Sequence, residues 1–330
     1  MNNHSIQFPS RTFSLRELPD TQYVLSKELA DAVQVALALQ QPLLITGEPG
    51  TGKTRLAYRV AADLAKARDN FLPTPIVHET QTTAAAQDLF YYYDALSHFH
   101  DANIRQADKT STPVVTDYLE LRGLGKAIAL SNPGQTGAAY LEKIKEQDPA
   151  ITDVSKPLSS VVLIDEIDKA PRDFPNSLLA QLEKYEFRIR EDHNRRLTIG
   201  EDQQIVVILT SNSEKTLPEA FLRRCVFFHI PFPEKDQLLE IVKVRIGEGS
   251  SYVNETLVSH FLSLRTLIKR KPPATAELIA WLRILELHDF VKDGVDFTKL
   301  SGPQKDTLRI SYSVLAKTED DLRTIIDHLS

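Results

Sequence analysis

Apolar positions follow different spacings in the two parts of the chain. Up to about residue 230, short apolar runs typical of buried strands occur at 42–46, 75–79, 161–164, 205–209 and 226–230. Residues at helical spacing separate several of these runs, beginning after Ser26, which we expect to cap a helix. Beyond residue 230 the spacing is helical throughout. The pattern therefore predicts an irregular N-terminal arm (1–21), an α/β domain with a central parallel sheet (22–230) and a smaller helical domain (231–330).

Composition narrows the class of protein. The chain has 330 residues, 42% of them hydrophobic, and its apolar runs fall short of the roughly 18 residues that a membrane helix needs. Its first ten residues lack the apolar stretch of a signal peptide, and the single cysteine, Cys225, excludes an internal disulfide. We therefore expect a cytoplasmic protein without a membrane segment. The net charge of -6 argues against a generally basic nucleic-acid-binding surface, although a local basic groove is compatible with it.

A glycine-rich segment between the first strand and the next helix predicts a nucleotide site. Gly47 to Thr54 reads G-E-P-G-T-G-K-T, which matches the phosphate-binding pattern G-x-x-x-x-G-K-[ST]. Glycines let backbone N–H groups turn toward a phosphate, and the helix N-terminus that follows attracts the same anion. Lys53 is expected to reach the β- and γ-phosphates, and the Thr54 hydroxyl to bind Mg²⁺. The predicted nucleotide contacts are Glu48, Pro49, Gly50, Thr51, Gly52, Lys53, Thr54 and Arg55.

Polar residues follow two later strands of the predicted sheet. Asp165 and Glu166 follow the run 161–164, at the strand end where open α/β sheets bind ligands. Asp165 is expected to hold Mg²⁺, and Glu166 to act as general base on the attacking water. Asn212, after the run 205–209, is expected to orient that water.

Two residues before the first helix are candidates to touch the nucleotide base. Tyr23 and Val24 occupy this position. The same residues can equally pack on the core, because aromatic and branched side chains are commonly buried. The sequence leaves both interpretations open.

Two segments look like insertions in the α/β domain, at about 84–158 and at 187–199. The first contains an aromatic group, the run 90–93 together with Phe99, which we interpret mainly as core and alternatively as a platform for single-stranded nucleic acid. It also contains a short helix predicted over 119–130. His78 and the insertion's His98 and His100 are not matched by a second group of ligand residues at metal-binding spacing, which argues against a metal site there. The second insertion has two strand-like runs around a turn at 192–194, which predicts a hairpin.

The order of these motifs resembles that of AAA+ ATPases, over about residues 22–290. The sequences of residues 163–170 (L-I-D-E-I-D-K-A) and 217–225 (L-P-E-A-F-L-R-R-C) are most similar to those of the MoxR-like branch. This resemblance implies that Lys53 and Thr54 are Walker A residues, Asp165 and Glu166 Walker B residues, and Asn212 sensor 1. Arg224 matches the arginine finger that completes a neighbouring subunit's site. Because Arg223 stands where this branch often has an acid, either arginine can be the finger.

The resemblance also implies a ring, expected to be a hexamer, with ATP and Mg²⁺ at its subunit interfaces and a helical lid. Many relatives carry a sensor 2 arginine at the start of a lid helix, but residues 271–277 contain none. Lys271 and Arg283 are possible substitutes, and sensor 2 stays unassigned.

Three functions follow from these observations. The leading hypothesis is an ATPase that remodels a separate protein partner in a chaperone-like way, with a von Willebrand A domain protein as one candidate. The alternatives are a nucleic-acid-linked NTPase subunit of a restriction or antiviral defence complex, and an ATP-gated scaffold with slow hydrolysis. Glu166 and Arg224 argue against the scaffold, which needs neither a base nor a finger.

Overall fold

The computed structural model describes residues 23–83, 85–107, 114–171, 173–213, 217–291 and 295–329. Its internal contacts divide the chain into two compact units. The first, here called the α/β unit, comprises Leu25–Gly47 and Gly52–Ile230. The second, here called the helical unit, comprises Tyr23, Val24, Glu48–Thr51 and the described residues from Pro231 onward.

The α/β unit alternates helices and strands. In chain order its elements are α1 (Lys27–Leu39), β1 (Leu43–Gly47), α2 (Lys53–Ala67), β2 (Ile76–Glu79), β3 (Tyr91–Tyr93), α3 (Ala95–Ala107), β4 (Leu119–Leu121), α4 (Gly123–Ser131), α5 (Pro133–Thr136), α6 (Ala138–Gln147), β5 (Ser160–Asp165), α7 (Phe174–Leu182), β6 (Glu186–Ile189), β7 (Arg195–Thr198), β8 (Ile205–Ser211), α8 (Glu219–Leu222) and β9 (Val226–Ile230). The predicted cap of α1 is present, since the Ser26 hydroxyl accepts a hydrogen bond from the Leu29 N–H at 3.2 Å.

The five apolar runs form one parallel sheet in the order β2-β5-β8-β1-β9, as predicted. Strands β1 and β8 are buried along their whole length, which explains their near-continuous apolar sequences. Leu163 of β5 and Leu43 of β1 both pair with Ile208 of β8. This register brings the carboxyl ends of β1, β5 and β8 to the same edge of the sheet.

The first insertion folds differently from the prediction in one place. Leu119 and Leu121 lie in β4, which pairs antiparallel with β3, and the helix begins only at Gly123. Both leucines are buried on either side of a half-buried Glu120, so the period is that of a strand. The predicted helix over 119–130 is therefore wrong for its first residues.

The aromatic run of this insertion is divided between core and surface. Phe90 and Tyr91 are buried, and the Phe90 ring lies 5.1 Å from that of Phe187. Tyr92 and Phe99 are exposed, at 45% and 68% of their surface. The core interpretation is correct for Phe90 and Tyr91 and wrong for Tyr92 and Phe99.

The second insertion is the hairpin that the sequence predicts. Phe187 of β6 pairs with Leu197 of β7 on the buried face, and Arg188 pairs with Arg196 on the opposite, exposed face. His193 and Asn194 close the turn with positive φ angles of 51° and 54°. Asparagine tolerates this left-handed conformation better than most residues.

The helical unit contains α9 (Lys235–Ile246), α10 (Glu255–Leu267), α11 (Thr275–Leu287), α12 (Gly302–Leu315) and α13 (Glu319–Asp327) around a core with Trp281 and Tyr312. Thr318 caps α13, because its hydroxyl accepts a hydrogen bond from the Asp321 N–H at 3.2 Å. At α11 the cap position is taken by Ala274, and Thr275 is the first residue of the helix. Within the described parts of the chain, no helix is long and apolar enough to cross a membrane.

Candidate nucleotide site

The start of α2 is built to receive an anion. Gly52 precedes the helix with a φ of 89°, a left-handed conformation that favours glycine, and no side chain caps the first turn. The first turn also lacks acidic residues. The N–H groups at the start of a helix and the positive end of its dipole attract a phosphate.

Lys53 joins the ends of two strands. Its side chain is only 7% exposed, and its ammonium group donates to the Gly47 carbonyl oxygen at 2.9 Å and to Asn212 Oδ1 at 3.0 Å. A buried ammonium group needs such partners to offset its lost hydration. Lys53 and Asn212 stand 159 positions apart in the chain. They meet because β1 and β8 pair in parallel, so that the segments after the two strands lie at the same edge of the sheet.

Thr54 and Asp165 form a second pair at this edge of the sheet. The Thr54 hydroxyl donates to the two Asp165 carboxylate oxygens at 3.2 and 3.1 Å. A hydroxyl and a carboxylate facing each other are oxygen ligands of the kind that Mg²⁺ binds beside a nucleotide, so the residues present fit this ion. In the described part of the chain, no group of three or more histidine, cysteine or acidic side chains forms another metal site.

Thr210, which no sequence motif marks, hydrogen-bonds to both Asp165 and Glu166. Its fully buried hydroxyl donates to Asp165 Oδ1 and accepts a hydrogen bond from the Glu166 N–H at 2.9 Å. Glu166 has a φ of 55°, a conformation that is uncommon for residues other than glycine. The sequence feature that could have indicated Thr210 is a hydroxyl residue near the end of a strand whose preceding residues are apolar.

The Glu166 carboxylate lies among donors. Lys169 Nζ hydrogen-bonds to its Oε2, and Asn212 Nδ2 lies 3.5 Å from its Oε1. The hydrogen bond from Lys169 holds the pKa of Glu166 below its usual value, although burial acts in the opposite direction. The Asn212 N–H in turn donates to Asp168 at 3.3 Å. Glu166 is therefore ionised at neutral pH, as a general base must be.

The middle of the glycine-rich segment belongs to the helical unit. The Glu48 carboxylate accepts a hydrogen bond from Arg265 Nη2 at 2.5 Å, and the Thr51 hydroxyl donates to the Glu48 carbonyl oxygen at 2.8 Å. Glu48, Pro49 and Gly50 are exposed. Arg55, in α2 of the α/β unit, places its guanidinium 5.9 Å from the centre of the Tyr58 ring.

Tyr23 and Val24 are half-buried in the helical unit. Burial raises the pKa of Tyr23 to about 12. Packing on the core and contact with the nucleotide base would both bury the Tyr23 side chain. The role of Tyr23 and Val24 therefore stays a prediction.

The two arginines after α8 are exposed. Arg223 lies 3.7 Å from Glu219, and Arg224 lies 3.9 Å from Glu183. Both distances are long for ion pairs, and pairs of this kind contribute little stability. Either guanidinium group can therefore exchange its acidic partner for another anion at little cost in free energy.

Of the two sensor 2 substitutes, Arg283 is engaged inside the helical unit. It donates to Glu286 at 2.7 Å and to the Arg245 carbonyl oxygen at 3.1 Å. Lys271 is exposed.

Comparison with known proteins identifies the family. RuvB variants from Thermotoga maritima give TM-scores of 0.41, 0.43 and 0.43 at 16%, 16% and 15% identity, covering 87%, 92% and 88% of this chain and 67%, 73% and 70% of theirs. No curated protein sequence matches the chain. Because the likenesses to RuvB are distant, the assignment depends on a family model, which matches residues 43–234, more than half of the chain. The model spans Lys53, Asp165, Glu166 and Asn212, and the protein belongs to the ATPase family associated with various cellular activities (AAA).

Proposed function

We propose that this protein binds ATP with Mg²⁺ and hydrolyses it at the edge of the sheet where β1, β5 and β8 end. The observation that carries the proposal is the convergence of two pairs, Lys53 with Asn212 and Thr54 with Asp165. Phosphoryl transfer needs a cation on the phosphates, oxygen ligands for the metal and a polar group that orients water. These residue types meet here from three separate parts of the sequence.

Each residue has a distinct task in this proposal. The α2 N–H groups and Lys53 neutralise the β- and γ-phosphates, Glu166 takes a proton from the attacking water, and Asn212 orients that water. Thr54 and Asp165 would hold Mg²⁺, which neutralises charge on the phosphate oxygens when bound. Thr210 keeps Asp165 and the Glu166 backbone in place.

We further infer that the protein works as a ring, expected to be a hexamer, in the cytoplasm. Arg224 would complete the site of the neighbouring subunit, with Arg223 as the alternative finger. Support comes from the exposure of both arginines, 56% and 77% of their side chains, and from their long distances to Glu183 and Glu219. The sequences of residues 163–170 and 217–225 favour assignment to the MoxR-like branch of this family.

By this proposal, the work of hydrolysis is chaperone-like remodelling of a separate protein, with a von Willebrand A domain protein as one candidate partner. The first insertion offers exposed apolar side chains for such a contact. Leu96 and Phe99 of α3 are exposed at 81% and 68%, and Val114 at 57%. Exposed apolar groups of this kind commonly mark protein contacts.

One feature favours a second candidate, a nucleic-acid-linked NTPase. Arg188 and Arg196 are exposed and directly opposite each other in the hairpin. Like charges in this position destabilise a strand pair, and a phosphate backbone would neutralise them. The pairing of Arg196 with Glu186 and the net charge of -6 argue for the protein partner instead.

The deciding experiment measures the ATPase rate against protein concentration, with mass determined in parallel, with and without Mg²⁺. A specific activity that rises as a ring-sized species appears supports the shared site. A constant rate from a monomer contradicts the ring, and ATP-dependent assembly without turnover favours a scaffold. Stimulation by a protein partner or by DNA or RNA then separates the remaining two functions.

A further inference from the structure

Lys169 lies one turn after the proposed base and contacts it directly. Its ammonium group hydrogen-bonds to Glu166 Oε2, so the two residues form an ion pair at a spacing of i, i+3. The Lys169 side chain is 50% exposed and that of Glu166 40%, and ion pairs this exposed usually add little stability. What the pair can contribute is therefore the position of the carboxylate, not the stability of the fold.

The backbone between the two residues is fixed at several points. The Glu166 N–H donates to the Thr210 hydroxyl at 2.9 Å, and the Lys169 N–H donates to the Glu166 carbonyl oxygen at 2.9 Å. Between them, Ile167 is only 1% exposed and packs in the core of the α/β unit. Because a buried side chain and two hydrogen bonds anchor this turn, the Lys169 backbone has a fixed position relative to that of Glu166.

The two oxygens of the Glu166 carboxylate meet donors from different parts of the chain. Oε2 accepts from Lys169, whereas Oε1 lies 3.5 Å from Nδ2 of Asn212, the residue after β8. A distance of 3.5 Å is long for a hydrogen bond, so Asn212 by itself holds the carboxylate weakly. A charged donor makes the stronger hydrogen bond, and Lys169 is therefore the main donor that orients this carboxylate.

The orientation of a carboxylate matters when it has to accept a proton from a particular water molecule. A glutamate side chain that rotates freely loses conformational entropy when it takes up one orientation, and a base that is oriented in advance avoids this cost during the reaction. A carboxylate offers about four lone-pair positions, so the bond to Lys169 leaves room on the same group for a water molecule. The ion pair is thus compatible with a working base.

We propose that Lys169 is a positioning residue for ATP hydrolysis, which holds the Glu166 carboxylate in the orientation needed to take a proton from the attacking water. This inference rests on the proposed function and deepens it, because it assigns a second side chain to the task given to Glu166. Lys169 acts through Glu166 and contacts neither the nucleotide nor the water. Its removal should therefore slow the chemical step and leave nucleotide binding intact.

The test compares the wild type with Lys169→Met in steady-state ATPase kinetics, in single-turnover phosphate release and in titration with a fluorescent ATP analogue and Mg²⁺. We expect kcat and the single-turnover rate to fall about tenfold, less than the roughly 100-fold for a group displaced by about 1 Å, because Asn212 remains as a donor. The Kd of the analogue should change less than about threefold. Lys169→Arg keeps a cationic donor and should recover most of the lost rate.

Lys66→Met is the matched control, since Lys66 forms a pair of the same spacing with Asp63, at 3.5 Å and with 64% of the lysine side chain exposed. It should leave the rates and the affinity unchanged. Thermal unfolding of each variant checks that the protein is folded.

Four results would overturn the proposal. Wild-type kcat in Lys169→Met would mean that the pair is an ordinary surface contact, and a raised kcat would mean that Lys169 restrains the base. A loss of ATP affinity as large as the loss of kcat would mean that Lys169 acts on the nucleotide. Lys169→Arg as slow as Lys169→Met would mean that the cationic donor is not what counts. A wild-type protein that binds ATP and Mg²⁺ without hydrolysing ATP would instead refute the proposed function itself, and this inference with it.

Discussion

Removing the Thr210 hydroxyl tests whether the acidic pair is held as the geometry indicates. Thr210→Val is close in size to this fully buried side chain and replaces its hydroxyl by a methyl group, so the main change is the loss of hydrogen bonds. It removes one hydrogen bond to the Asp165 carboxylate and leaves the Glu166 N–H without its acceptor at 2.9 Å. A hydrogen bond to a charged group contributes about 1.5–3 kcal/mol, so we expect the free energy of unfolding to fall by about 2 kcal/mol.

The expected effect on catalysis is larger than the effect on binding. Glu166 holds a φ of 55°, which costs on the order of 1 kcal/mol or more and depends on the surrounding contacts. Without the Thr210 hydroxyl the Glu166 backbone is free to relax, and a displacement of the proposed base by about 1 Å can lower a rate about 100-fold. We therefore expect kcat to fall about 100-fold, while ATP affinity changes less than about threefold, because Lys53 keeps its partners.

Steady-state ATPase kinetics, ATP titration and chemical denaturation measure these three quantities. Thr210→Ser retains the hydroxyl and should recover most of the lost turnover. Ser160→Ala is the control for removing a buried hydroxyl, because Ser160 Oγ is buried without a hydrogen-bond partner among the described residues. Wild-type turnover in Thr210→Val, with the protein folded, would refute the role given to this hydroxyl.

Three further predictions concern the proposed site and the helical unit. Lys53→Ala should abolish ATP binding, whereas Glu166→Gln should bind ATP and fail to release phosphate, since only the base is lost; turnover by Glu166→Gln would contradict that role. Arg224→Ala subunits mixed with Glu166→Gln subunits should regain some ATPase activity if a finger and a base from different chains meet, and rings without recovery at any ratio would argue against Arg224. Burial, with a smaller contribution from His328, lowers the pKa of His260 to about 4, so His260 is neutral in the folded helical unit. Its contribution to stability is complete above pH 6.5 and is lost as the pH falls toward 4, by up to about 3 kcal/mol. Denaturation curves between pH 7 and 4 measure this loss, and His260→Gln should flatten the slope.

The local sequence pattern predicted most of the fold, because strands and helices differ in the period of their apolar residues. The five runs became the five strands of the sheet, and the hairpin formed at 186–198. The prediction failed at Leu119 and Leu121, where two leucines alternate for only three residues before a helix begins. A strand this short leaves too few positions to separate the two periods.

The sequence by itself determined which chemical groups this protein can use. The glycine-rich segment, the acidic pair and the residue types of Lys53 and Asn212 are readable because each motif is continuous or follows a recognisable strand. Only the tertiary structure decided which residues support them. Thr210 lies 45 positions from Asp165, and Arg265 lies 217 positions from Glu48. Neither pairing leaves a local pattern, because strand order and helix packing, not spacing along the chain, determine which distant side chains meet.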